Sequence, residues 1–267
     1  MYTEKDSNKT SASVKAPTKV TIFSRFDVLM LDAMNTVFLA KGGKYHLYQE
    51  FLRTLGIEVE TPRLAEVFAR KRAQFESLAK IERREGREVD VEKMWSKINA
   101  SIVMELAQGR ISGSAEEIGR RIHNEFQGNP NGFRVHEDMR QFLKIAHGKI
   151  LIAIASNHQK GYLPKFISSF NLEHLVDRVF TSEGLGFEKP DPHFFYGIIK
   201  ELSAIMPGLK TDRVLMVGNN PINDISGAKE AGIKHAVLLD WENDFNGDKT
   251  VPKVSSPLEL LRLEFPV

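Results

Sequence analysis

The chain of 267 residues contains no cysteine, which excludes disulfides, thiolate metal sites and cysteine nucleophiles. No apolar run approaches the ~18 residues of a membrane span. Residues 1–20 are rich in Ser, Thr and Lys and lack the apolar stretch of a secretory signal, so a loose tail is expected there. Nor is one charge in surplus: 37 basic side chains face 35 acidic ones, a balance that argues against nucleic acid or a membrane surface as partner. No internal repeat is visible. With 42% apolar and 27% charged residues, the chain has the material for a large domain, or for a core with a smaller second domain. A small-molecule substrate and a reducing, cytoplasmic setting fit this balance, which leaves oligomeric state unspecified.

Four near-continuous apolar runs stand out, at 26–38 (FDVLMLDAMNTVF), 149–157 (KILIAIASN), 213–220 (RVLMVGNN) and 234–240 (KHAVLLD). Runs of this length without polar alternation are expected of parallel strands covered on both faces. Helical periodicity over 136–146, 159–170, 191–204 and 221–231 supplies the covers. The fold class is therefore α/β, a doubly wound parallel sheet of Rossmann-like type. The interval 44–130 breaks the rhythm, with helical patterning and no convincing strand. It reads as an inserted helical domain, bracketed by Gly42-Gly43 and by the turn-forming Gly128 to Gly132. The core is then 21–43 plus 131–267. Arg70, Lys71, Arg72, Lys80, Arg83 and Arg84 crowd the second helix of the insert, but interspersed glutamates make this a solvated face rather than an anion-binding patch.

In parallel α/β sheets ligands bind beyond the carboxyl ends of the strands. Each long apolar run ends there in a polar residue, and three of the runs supply the candidates. The first gives Asp32, Asn35 and Thr36; the second gives Ser156 and Asn157; the third gives Gly218, Asn219, Asn220, Asn223 and Asp224. Lys189 lies in the loop Gly186 to Pro192, ahead of another helix. A carboxylate at Asp32 can act as a nucleophile, Ser156 can donate to a transferring oxygen, and Lys189 can neutralise both the nucleophile and a phosphoryl group.

The order Asp32 and Thr36, Ser156-Asn157, Lys189-Pro190-Asp191-Pro192, then Gly218-Asn219-Asn220-Pro221 with Asn223-Asp224 and Gly227-Ala228 resembles the four motifs of the haloacid dehalogenase superfamily. The likeness runs from residue 26 to about 240. The insert after the first motif matches the subgroup with a helical cap. The resemblance implies a hydrolase working through an aspartyl ester at Asp32. It also implies Mg²⁺ held by Asp32, the backbone carbonyl at Met34, Asn219 and Asp224.

Two positions depart from that pattern. The residue two after the nucleophile, a second Asp in the family's phosphatases, is Met34, and a thioether moves no proton. The first acid of the last motif is Asn219, whose amide can ligate Mg²⁺ without supplying charge. Three readings follow. A phosphatase would use an undemanding leaving group, or an acid from elsewhere, with Tyr45, His46 and His158 as candidates. A metal-independent dehalogenase would release halide without a proton, with Arg63 as the halide cradle; against it, that branch carries Tyr at the position of Met34 and Ser at that of Gly218. A degenerate member would bind a ligand or partner without turnover.

Overall fold

The computed structural model of the chain describes residues 19–43, 45–85, 91–111, 113–158, 161–243, 245 and 251–266. Of the tail expected over 1–20, all but Lys19 and Val20 lies outside those residues; these two pair antiparallel with Phe265 and Pro266. The centre is a six-stranded parallel sheet. Its strands are β1 (Val28–Leu31), β2 (Leu151–Ser156), β3 (Arg178–Thr181), β4 (Val214–Gly218), β5 (His235–Leu239) and β6 (Lys253–Val254). They are ordered β3-β2-β1-β4-β5-β6. Winding runs outward through β2 and β3, returns, and runs outward the other way through β4 to β6. The reversal therefore falls at β1, where a doubly wound sheet opens its ligand crevice.

Alternate residues of each strand feed opposite layers, which explains why the strands read as unbroken apolar runs. Leu29, Leu31, Ile152, Ile154, Leu215 and Val217 pack under Met139, Phe142, Leu143, Leu163 and Phe166, from the helices Glu137–Ala146 and Tyr162–Ser169. Val28, Met30, Ala153, Ala155, Val214 and Met216 pack under Phe194, Phe195, Ile198 and Leu202, from the helix Pro192–Ile205. Two sheet strands escaped the sequence reading. β3 sits at one edge with Arg178 and Val179 exposed, and β6 is only two residues long.

A short antiparallel ribbon, Leu39–Ala40 against Phe133–Arg134, carries the chain out of the core and back. Between its strands the described residues form four α-helices, α1 (His46–Thr54), α2 (Thr61–Arg84), α3 (Val91–Ala107) and α4 (Ala115–Gly128). They enclose a separate apolar cluster that includes Phe51, Leu52, Leu64, Val67, Ile98, Ile102 and Ile122. At the crossing of α3 and α4 a Cβ on Gly119 would lie 2.2 Å from the Ser96 carbonyl oxygen, so only glycine permits that approach. No helix among the described residues is long and apolar enough to cross a membrane.

Candidate functional site

Beyond the carboxyl ends of β1, β2 and β4 lies a cavity of about 770 Å³, roofed by the helical module. Asp32 follows β1 directly and its backbone N–H donates to Val217 of β4 at 3.0 Å. The loop turns sharply after it: Asn35 takes a left-handed φ of 59°, and its N–H donates to the Phe38 carbonyl at 2.8 Å. That conformation is uncommon outside glycine and favours Asn among the rest. Thr36 is buried below Asp32 and donates its hydroxyl toward Asp32 Oδ2 (3.3 Å) and the Asn219 amide oxygen (3.4 Å).

Lys189 is the hub. Its side chain is 2% exposed, and Nζ donates to Asp32 Oδ1 and Asp224 Oδ1, both at 2.6 Å, and to the Ala155 carbonyl at 2.9 Å. All three ammonium protons are thereby used. Burial alone would depress its pKa, but the two carboxylates outweigh burial and hold it above the ordinary lysine value. Burial likewise pushes the Asp32 carboxyl up, to about 6, Lys189 opposing the rise and Asp224 adding to it.

Two side chains aim this hub. Asn157 donates its amide to the Lys189 carbonyl at 2.8 Å and accepts the Lys189 N–H at 2.7 Å. Sequence reasoning grouped Asn157 with the reacting residues; it lines the cavity and also holds the backbone that carries the lysine. Asp224 Oδ2 accepts the Asn220 N–H at 2.9 Å. Helix was expected over 221–231. Its first stretch, Pro221–Ser226, is a wider π-turn capped by Asn220 through the N–H groups of Ile222 and Asn223. The wide turn swings Asp224 back under β4, as π-turns at functional sites often do.

Gly218 makes room for it, since a Cβ there would lie 2.3 Å from Asp224 Oδ2. Gly218→Ala is therefore expected to displace Asp224 and cost about 1–3 kcal/mol by overpacking. Denaturant unfolding measures this, and a loss below a few tenths of a kcal/mol would show that Asp224 yields freely. Gly227 plays a matching part, with a notional Cβ 2.8 Å from Pro190, so the helix after the π-turn seats against the lysine loop.

The remaining candidates divide. Met34, Tyr45, Ser156, His158 and Asn219 line the cavity. His158 is buried, its ring against those of Tyr162 and Phe166. His46 is turned to Glu50 at 3.1 Å on α1 and does not line the cavity. Arg63 also lies outside it, exposed on α2 and paired with Glu66 at 2.7 Å and Glu105 at 3.4 Å. Sequence reasoning missed Tyr48, Phe68, Arg72 and Asn99, which form the wall on the helical module, and His136 and Trp241 on the core side. Arg72 corrects the reading of its helix as a wholly solvated face. Trp241 had a faint signal, lying just beyond a strand end; its Nε1–H donates to the Thr36 carbonyl at 3.2 Å.

The residues that could hold a cation, Asp32, Asp224, Asn219 and Met34 through its carbonyl, all line the cavity and offer oxygen donors of the hard kind Mg²⁺ prefers. Only two of these donors are charged, and no group of three His, Cys, Asp or Glu side chains gathers among the described residues.

Comparison with known proteins bears on this geometry. The signature of the family described as haloacid dehalogenase-like hydrolase matches residues 67–238, well over half the chain. The chain belongs to this family. The matched stretch holds Ser156, Lys189 and Asp224 but begins after Asp32. Among curated relatives, a glyceraldehyde 3-phosphate phosphatase of Methanothermobacter thermautotrophicus is 38% identical over 71 residues, 27% of this chain and 29% of that protein. A phosphoserine phosphatase of Thermus thermophilus is 26% identical over 130 residues, 48% of this chain and 50% of that protein. The chain thus matches half or less of the length of these relatives. A magnesium-bound hydrolase of the family from Bacillus subtilis, YfnB, superposes with a TM-score of 0.66 at 15% identity, over 89% of this chain and 98% of that one. At that identity the likeness establishes the fold.

Proposed function

We propose that the protein hydrolyses phosphate esters of small metabolites through an aspartyl-phosphate at Asp32. The observation that carries this reading is the buried lysine set between two carboxylates at the floor of a roofed cavity, Nζ 2.6 Å from each. A carboxylate so placed attacks phosphorus, the bond to the substrate oxygen breaks, and water then cleaves the acyl phosphate to release inorganic phosphate and restore Asp32. Lys189 holds the carboxylate oriented. Ser156 and the backbone N–H groups beside it are the donors proposed for the phosphoryl oxygens. Mg²⁺, proposed to bind Asp32, Asp224, Asn219 and the Met34 carbonyl, would offset phosphoryl charge. The names of the curated relatives support a phosphate ester as substrate.

The dehalogenase reading has less support, because Arg63 faces away and Asp224 fills the space that a side chain at position 218 would need. The test is phosphate and halide release from a panel of phosphorylated metabolites and 2-haloacids, with Mg²⁺ or EDTA, for the wild type and Asp32→Asn. Phosphate release requiring both Mg²⁺ and Asp32 is expected. Halide release independent of metal, or silence from every substrate, would overturn the proposal.

A pH profile gives an independent check. The attacking form is the ionised carboxylate, and burial holds the acid form of Asp32 up to about 6. Mg²⁺ on the same carboxylate would lower that value, so kcat/KM should climb with pH between 4.5 and 8 with a midpoint that stays below about 6 and moves up as Mg²⁺ is lowered. A rising limb that ignores the Mg²⁺ concentration would mean another group controls the rate.

A further inference from the structure

The wall of the cavity opposite Asp32 has a chemistry of its own. Phe68, Ala69, Arg72 and Ala73 line it from α2, at spacings that put them on one face of the helix. Glu105 gathers Arg63 and Arg70, and Lys71 at 3.2 Å, and none of these lines the cavity. Arg72, with small alanines beside it, is half-buried and lines the cavity. On the same wall Asn99 is 3% exposed and Tyr48 is 7% exposed. The Tyr48 hydroxyl donates to Asn99 Oδ1 at 2.6 Å. That bond satisfies the acceptor end of the amide and leaves its two N–H groups as what Asn99 can offer a ligand. Phe68, one turn before Arg72 on the same helix face, sets its ring 5.6 Å from that of Tyr48, so guanidinium and amide belong to one wall of the cavity. A planar guanidinium fork and amide N–H groups on one wall match the two coplanar oxygens of a carboxylate.

We propose that Arg72 and Asn99 form a carboxylate subsite, and that the substrates are phosphate esters carrying a carboxylate at the end remote from phosphorus. This rests on the phosphatase reading for the phosphate end alone. Tyr48 is a positioning residue, fixing which edge of Asn99 faces inward.

The test separates the two ideas by using phosphonates, which cannot be hydrolysed. Calorimetry would compare 4-phosphonobutanoate, butylphosphonate and 4-aminobutylphosphonate on the wild type, Arg72→Gln, Arg72→Lys and Asn99→Asp, with turnover of propyl phosphate run in parallel on the wild type. The wild type should prefer 4-phosphonobutanoate over butylphosphonate by at least about tenfold, as a charged hydrogen-bonded contact provides. Arg72→Gln and Asn99→Asp should each erase that ratio, and Arg72→Lys, which keeps the charge and loses the fork, should retain part of it. Absence of preference in the wild type, an unchanged ratio in Arg72→Gln, or a preference for the amine would overturn the subsite. Failure of propyl phosphate to react would count against the phosphatase reading and leave the binding ratios to judge the subsite.

Discussion

Lys189→Met is expected to cost about 3–5 kcal/mol of folding stability at pH 8, the penalty of breaking a buried charge network by removing one partner. The methionine fits the space of the lysine stem but leaves Asp32 and Asp224, 7% and 1% exposed, facing one another without a countercharge. Their remaining donors, the Thr36 hydroxyl and the backbone N–H groups of Ala33 and Asn220, are too few to carry two buried anions. The loss should depend on pH with a definite sign. Removing the cation raises the folded-state pKa of Asp32 further, so its protonated form is favoured in the fold. Below the unfolded value of about 3.9 that carboxyl is neutral and the variant suffers least. As pH rises through and beyond about 6, the value burial already gives Asp32 with the lysine present, protons must leave and the deficit grows. Denaturant midpoints at pH 4.5 and pH 8 test this, and equal deficits at both would refute the account. Excess Mg²⁺ should return part of the stability at pH 8 by mass action if the two carboxylates hold the ion.

The contrast between what the sequence disclosed and what it concealed has a physical origin. The strands were legible because both their faces are buried, so Leu29 and Met30 must both be apolar although they point to opposite layers. β3 was not, because an edge strand with exposed Arg178 and Val179 gives no such run. Asp32, Ser156 and Asp224 were legible because a doubly wound sheet confines ligand chemistry to strand ends, which the apolar runs mark; Lys189, in a loop apart from those runs, stood out through the order of the four motifs. The hold of Asn157, which also lines the cavity, on a backbone 32 residues on was not legible, since nothing local to the residue signals it. The wall on α2 was hidden for a related reason. Arg70, Lys71 and Arg72 are consecutive, and charge patterning cannot say which of three successive side chains, spread around a helix about 100° apart, turns inward. In the fold Glu105 on α3 gathers Arg70 and Lys71, and Arg72 is the one of the three that lines the cavity.

Met34→Asp should raise the turnover of alkyl phosphates by at least about tenfold, toward the 10²–10⁴ that a positioned general acid supplies. The loop can accept the change, because its shape is held by backbone contacts, Asn35 N–H to the Phe38 carbonyl at 2.8 Å and the bridge between Met34 and Phe38. The new carboxyl would face the cavity that Met34 already lines and would lie near two buried acids, surroundings that favour its protonated, donating form. Some stability should be lost, since Met34 also packs against the core layer beneath it. The leaving group provides the control. An alkoxide needs a proton as it departs and p-nitrophenolate scarcely does, so the gain should be large for propyl phosphate and small for p-nitrophenyl phosphate. Equal gains on both would point to a metal or charge effect rather than proton transfer. No gain on either would mean that departure of the leaving group is not what limits the wild type, and that hydrolysis of the acyl phosphate at Asp32 is the step to examine.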